Sequence, residues 1–215
     1  MTPLQDQLDE ITQRTRALVP AERMAPAERS VEELFASGAE QRILPVGSRA
    51  PEFALANAQG RLTRSADLLA LGPLIIKFFR GRWCPYCVTE LEAWRELYPR
   101  VREAGALMVA VSPQTNRQSD FLAAQHELPF ALLSDPGCRV AGEFGLAWDI
   151  PEYLREYYRG ILINIPFIHG GESWRLPLPG TFVVGRDGWI VYSEAHADFR
   201  VRPEPEEALK AAASC

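Results

Sequence analysis

Two cysteines stand three positions apart in Trp83-Cys84-Pro85-Tyr86-Cys87, directly after the apolar run Leu74-Ile75-Ile76-Lys77-Phe78-Phe79. Thiols at that spacing can close a small, reversible disulfide where a strand gives way to a helix. Unpaired N–H groups in the first turn of such a helix favour thiolate over thiol. Arg80 and Arg82 precede the pair, and such surroundings lower a thiol pKa from about 8.5 into a range of roughly 3.5–7.5. Redox chemistry at Cys84 and Cys87 is therefore the leading expectation, with Arg80, Arg82 and Trp83 as supporting residues.

Zinc is the main rival for a close cysteine pair, because structural zinc takes four ligands from paired motifs. No second close pair exists: His126, His169 and His196 are scattered and read as surface or loop residues. Neither a metal nor a cofactor is expected. Cys138, after Asp135-Pro136-Gly137, reads as a small buried residue at a helix start, and Cys215 as a frayed end.

A chain of 215 residues with 47% apolar and 24% charged residues suits one globular domain with embellishments. The net charge of −5 argues against a nucleic-acid or anionic-membrane partner. No apolar run approaches the roughly 20 residues needed to cross a bilayer. Met1-Thr2-Pro3-Leu4-Gln5-Asp6 lacks a basic region followed by an apolar stretch, so a cytoplasmic location is expected. In a reducing compartment a close pair points to catalysis rather than to a structural staple.

The elements that must position the pair follow from periodicity. Residues 1–42 read as a helical extension. Thr2 caps a first helix with Pro3 at its first position and Leu4, Leu8 and Ile11 on one face, and Pro20 ends it. A second helix is expected from near Pro26, with Val31, Leu34 and Phe35 on one face and Gly38 as its stop. Packing on the main domain, 43–215, is the expected use of this extension, and a homodimer contact is the alternative.

Gln59-Gly60 before Leu62 suggests an opening hairpin. The runs Leu74–Phe79, Leu107–Val111 and Phe130–Leu133 suit strands covered on both faces, with helices at about 84–104 and 117–127 between them. Thr181–Val184 and Trp189–Ser193 flank Asp187-Gly188 as a second hairpin, before a last helix from about Glu204 to Ala213. Residues 145–178 form a Gly-, Pro- and aromatic-rich insertion with a short helix near Pro151–Arg159. The order predicts an α/β fold, a central mixed sheet flanked by helices.

Within the helix after the motif, positions 87, 91, 94, 98 and 101 share one face. Cys87 is thus expected on the packed side and Cys84 as the more exposed sulfur at the helix mouth. Glu90 and Glu92 lie early and Arg95, Arg100 and Arg102 late, which complements the helix dipole. Ser112, Gln114 and Asn116 follow a predicted strand at the edge where open α/β folds place sites. His169, Glu172 and Trp174 could shape a substrate pocket. Arg200 and Arg202 are expected to face solvent.

A wider set of segments carries a resemblance. Val46-Gly47-Ser48-Arg49-Ala50-Pro51-Glu52-Phe53, Phe78-Phe79-Arg80-Gly81-Arg82 with the dithiol, Ala110-Val111-Ser112-Pro113-Gln114, Leu133-Ser134-Asp135 and Pro179-Gly180-Thr181-Phe182-Val183-Val184-Gly185-Arg186-Asp187-Gly188 resemble peroxiredoxin-like proteins. These are members of the alkyl hydroperoxide reductase and thiol-specific antioxidant family, in the thioredoxin-fold superfamily. The likeness covers about residues 44–213. It implies a thioredoxin-like fold and an antioxidant peroxidase. Hydrogen peroxide or organic hydroperoxides would be reduced at the cysteine pair, and a thioredoxin- or glutathione-type thiol would restore it.

The family pattern Pro-x-x-x-Thr/Ser-x-x-Cys places the peroxide-attacking cysteine on Cys87, the Thr/Ser on Cys84 and the proline on Arg80. The chain thus resembles a dithiol variant between peroxiredoxins and thioredoxins. On that alignment Cys87 attacks and Cys84 resolves; on the thioredoxin analogy the roles reverse. Pro179 resembles the cis-proline that faces a thioredoxin dithiol. A thiol–disulfide oxidoreductase acting on protein or glutathione disulfides is the alternative function, and a non-enzymatic redox sensor a further one.

Overall fold

The computed structural model describes residues 2–215. Its centre is a seven-stranded sheet in the order β2-β1-β5-β4-β3-β8-β9. The strands are β1 (Ala54–Asn57), β2 (Leu62–Arg64), β3 (Leu74–Phe78), β4 (Leu107–Ser112), β5 (Ala131–Ser134), β8 (Gly180–Val184) and β9 (Ile190–Ala195). β3, β4 and β5 run parallel, while β8, β9, β1 and β2 join antiparallel. This is the mixed sheet that the apolar runs predict.

Every residue of β3 is buried, and side-chain alternation divides it between two cores. Ile75, with Phe79 beyond the strand, packs toward α1 (Leu4–Leu18), α4 (Pro85–Glu103) and α9 (Pro205–Ala213), through Leu4, Leu8, Leu91, Trp94, Val101 and Leu209. Leu74, Ile76 and Phe78 enter the opposite core with Phe53, Val140, Phe144 and Phe182. There Phe144 lies 5.1 Å from Phe78 and 4.9 Å from Phe182. Burying each such side chain contributes about 1.5–3 kcal/mol. Lys77 shares the alternation of Ile75 and Phe79, so its ammonium enters the core facing α4 and needs a buried partner there.

The remaining helices are α2 (Ala21–Ala36), α3 (Ser65–Leu71), α5 (Asn116–Gln125), α6 (Arg139–Glu143), α7 (Glu152–Gly160) and α8 (Ile165–His169). Pro3, not Thr2, is the residue before α1. α2 begins five residues before Pro26, because Pro20 already holds the extended conformation that precedes a helix. Pro26 then sits just past the first turn, where it forfeits one hydrogen bond. The covered stripe of α2 runs through Ser30, Val31 and Leu34, and Phe35 at its edge is 52% exposed. Gly38, at φ +66, closes the helix as expected.

The insertion is more regular than its composition suggests. β6 (Ala147–Asp149) and β7 (Arg175–Pro177) pair antiparallel, and α8 follows α7. The Asn164 side chain accepts from the Phe167 N–H and caps α8. Ile150, Leu154, Tyr158, Ile165 and Leu176 form a small core of their own. Among the described residues, no helix is long and apolar enough to cross a membrane.

Candidate active site

Cys84 is the residue before α4, in extended conformation, and Pro85 opens the helix. The Cys84 carbonyl accepts from the N–H groups of Cys87 (3.0 Å) and Val88 (3.1 Å), so the motif itself builds the first turn. The preceding bend needs Gly81: at φ +145, a Cβ there would lie 2.7 Å from the Trp83 ring nitrogen. Gln114, fully buried, accepts from the Arg82 N–H at 2.9 Å and donates to Ser119 Oγ at 3.1 Å. Ser112 Oγ in turn accepts from the Gln114 N–H. These residues thus pin the bend that presents the thiols, and Asn116 lies beyond this network, at the start of α5.

Both cysteines are free thiols, and both are buried. Cys87 is on the packed face as expected. Cys84 is not the exposed sulfur that its position suggests, being only 2% accessible, because a cavity wall closes over the helix mouth. Burial opposes ionisation of Cys84. A hydrogen bond from Cys87 and the Arg80 and Arg202 guanidinium groups outweigh it and bring the Cys84 thiol down to about 6. Cys87 moves the other way, pushed up by burial and by its Cys84 neighbour. The pair therefore holds its thiolate at Cys84 and its proton at Cys87.

Of the two arginines ahead of the motif, only Arg80 turns inward. It is 4% exposed, lies 4.8 Å from the Trp83 ring and 4.3 Å from the Phe199 ring, and donates to the Tyr158 hydroxyl. Arg82 points away, over Phe121 and toward Gln118. Trp83 packs edge-on against Tyr158, with ring centres 5.3 Å apart. Pro179 borders Arg80 and Phe199, but the described residues contain no cis peptide bond. The cis-proline expectation is corrected accordingly.

Arg202 does not face solvent. Its Nε donates to Glu90 Oε2 at 3.0 Å and an Nη reaches the Cys87 sulfur at 3.6 Å. Glu90 also pairs with Lys77 at 2.5 Å, and the three side chains are almost wholly inaccessible. Glu90 is therefore a buried counter-ion rather than a solvated dipole partner. Arg200 is likewise engaged, with Glu28 at 2.6 Å and Asp198 at 2.8 Å. A signal for part of this cluster was present: Lys77 interrupts an apolar strand, and charges are almost never buried unpaired. Arg202 carries no comparable signal, since its role depends on where the connector after β9 crosses the dithiol.

A cavity of about 180 Å³ opens beside Cys84. Trp83, Tyr86, Tyr157, Tyr158 and Phe199 give it aromatic walls, and Thr12, Met24 and Ala27 contribute from α1 and α2. His169, Glu172 and Trp174, expected at a pocket, are not among its lining residues. His169 is buried rather than at the surface, and burial lowers its pKa to about 4. Trp174 instead lies under Arg155 and Arg159. Cys138 is fully buried, and burial pushes its thiol up.

Comparison with known proteins agrees with this arrangement. Residues 46–193 match the model of the AhpC/TSA family. The chloroplastic peroxiredoxin Q of Sedum lineare is 32% identical over 104 residues, which cover 48% of this chain and 55% of that protein. The thiol-disulfide oxidoreductase ResA of Bacillus thuringiensis is 24% identical over 71% of each chain. Among solved structures, peroxidoxin BcpB from Mycobacterium tuberculosis superposes with a TM-score of 0.63 at 21% identity, covering 80% of this chain and 97% of that one. The strand order, the dithiol at the start of α4 and the match over residues 46–193 identify this chain as a member of the AhpC/TSA family.

Proposed function

We propose that the chain is a thiol-dependent peroxidase in which Cys84 is the nucleophile and Cys87 the resolving thiol. The observation that carries this assignment is that the cavity opens on Cys84 while Cys87 is wholly enclosed behind it. That order reverses the one inferred from the family's motif alignment. The Cys84 thiolate attacks the terminal oxygen of a hydroperoxide, the O–O bond breaks, and Cys84 becomes a sulfenic acid. The departing alkoxide, or hydroxide from hydrogen peroxide, takes a proton, and Arg80 stands beside the reacting sulfur to offset the charge. Cys87 then attacks the sulfenic sulfur, water leaves, and a disulfide joins the two. An external thioredoxin- or glutathione-type thiol restores the dithiol.

Sulfenic acid trapping on single variants tests the assignment. Cys87→Ser is expected to consume one equivalent of peroxide and to accumulate a trappable sulfenic acid at Cys84. Cys84→Ser is expected to lose peroxide consumption. Sulfenic acid trapped on Cys87 in Cys84→Ser, with one equivalent of peroxide consumed, would restore the alignment-based order.

A specific observation also supports thiol–disulfide exchange as a second reading. A low-pKa thiol at a helix mouth, with a second thiol enclosed behind it, is equally suited to attacking a disulfide. Disulfide turnover exceeding peroxide turnover with the same reductant would select it.

A further inference from the structure

Among the charged side chains that are almost wholly buried beside the dithiol, cations outnumber anions, while the partly exposed Asp198 and Glu28 are taken up by Arg200. Lys77 and Arg202 share the single carboxylate of Glu90. Arg80 adds another guanidinium whose side-chain hydrogen bond goes to the neutral Tyr158 hydroxyl. Arg80 Nε and one Arg202 terminal nitrogen find no hydrogen-bond partner among the described residues. Burial and the neighbouring Arg202 depress the Lys77 pKa. Even with Lys77 uncharged, the Arg80 and Arg202 guanidinium groups stand against one fully buried carboxylate, Glu90, since Asp198 is partly exposed and paired with Arg200. An uncompensated buried cation is costly, and a thiolate is the group in the site able to offset it.

That excess acts on one redox state only. The reduced pair can place a thiolate beside Arg80 and Arg202, whereas the disulfide carries no charge and leaves Arg80 without an anion and Arg202 with only the Glu90 carboxylate that it shares with Lys77. The field therefore stabilises the dithiol form relative to the disulfide. Stabilising the reduced form is what makes a disulfide a strong oxidant. We propose that the oxidised Cys84–Cys87 couple is a disulfide donor, poised by Arg80 and Arg202 to oxidise protein or peptide dithiols that present an apolar side chain to the cavity.

The step balances with a hydroperoxide as the primary oxidant. That source of the disulfide rests on the peroxidase reading above; the poise of the couple does not. A client thiolate attacks Cys84 Sγ, the intramolecular S–S bond breaks, and Cys87 leaves and takes up a proton. The second client thiol, after losing its proton, attacks the client sulfur of the mixed disulfide. Cys84 then departs as a thiolate that Arg80 and Arg202 stabilise. The client loses two electrons, and the Cys84/Cys87 pair gains them. A low-pKa leaving thiol speeds this second exchange, and the Cys84 value of about 6 is in keeping with that.

Equilibration of the full chain with glutathione redox buffers, without peroxide, reads the poise directly. The wild-type equilibrium should lie at least about fivefold further toward the dithiol than that of thioredoxin in the same buffers. Arg80→Met and Arg202→Met should each move it about tenfold toward the disulfide, whereas Arg202→Lys and the outward-facing Arg82→Met should leave it within about twofold. Arg80→Met strands no carboxylate and keeps the test informative if Arg202→Met fails to fold. The oxidised chain should also convert a reduced two-cysteine peptide with flanking phenylalanines to its disulfide, mole for mole. A wild-type couple at or below thioredoxin's poise, an unmoved Arg80→Met equilibrium, or a peptide that stays reduced would each overturn the proposal. An oxidising couple in a chain that does not consume peroxide would leave this proposal standing and remove the peroxidase reading.

Discussion

Arg202 lies 3.6 Å from the sulfur of Cys87, a residue 115 positions earlier in the chain. Because the guanidinium is also tied to Glu90, three residues beyond Cys87 on α4, the connector after β9 is fastened directly behind the dithiol. The dithiol thus has Arg202 at the Cys87 sulfur and both Arg80 and Arg202 acting on Cys84, and these two guanidinium groups govern the ionisation of the pair.

The pH dependence of alkylation follows from these two charges. A lowered thiol pKa means that thiolate persists down to about pH 6 at Cys84. Iodoacetamide labelling of Cys84 should therefore rise through pH 6 and flatten above about 7. An ordinary thiol would gain about tenfold per unit up to pH 8. Cys138, buried and with its pKa raised, should remain unlabelled in the native protein across this range. Peptide mapping by mass spectrometry separates the sites.

The cavity wall contributed by α2 should govern which peroxides reach Cys84. Ala27→Trp places an indole in the space beside the sulfur. The expected outcome is a loss of about tenfold or more in kcat/KM for cumene hydroperoxide, about 1.4 kcal/mol. Hydrogen peroxide, needing far less room, should keep its rate within about twofold, as steady-state assays of the two substrates would show.

Gly145 offers a test of how the extension is anchored. It has φ +79, and a Cβ would lie 1.9 Å from the Arg42 carbonyl oxygen, beside the Leu44 N–H to Phe144 carbonyl bond. Gly145→Ala should cost at least about 2 kcal/mol, from left-handed backbone strain plus displacement of the Arg42 segment. Gly47→Ala, also at positive φ but with open space around its Cβ, should cost only about 1–2 kcal/mol. Urea midpoints of the two variants give the comparison.

Local rules carried most of the fold. Continuous apolar runs marked β3, β4 and β5 because strands covered on both faces contain little but core. Asp187-Gly188 marked the β8–β9 hairpin because its turn requires a positive φ, which Gly188 supplies at +84. Cys84 and Cys87 stood out for a similarly local reason. What sequence could not disclose was long-range: Arg202 faces Cys87 only because the chain turns back over α4, and Arg80 and Arg82, two residues apart, differ only in which way the bend turns them. The cavity was missed for the same reason, since α1, α2, α7 and the connector each contribute a few unremarkable side chains to it. α8 was missed because five residues give periodicity too little length to register.

Gln5 accepts from the Arg202 N–H, and its own N–H donates to Glu204, while Glu28 holds Arg200. The first two helices are thus moored to the stretch that carries Arg202 to the Cys87 sulfur. The family match over residues 46–193 contains both sulfurs but neither Arg202 nor the two N-terminal helices moored to its stretch. A fragment cut to that match would keep the cysteines and lose one of their two guanidinium neighbours and several walls of the cavity. Its reactivity would describe a different couple from the one that the whole chain assembles.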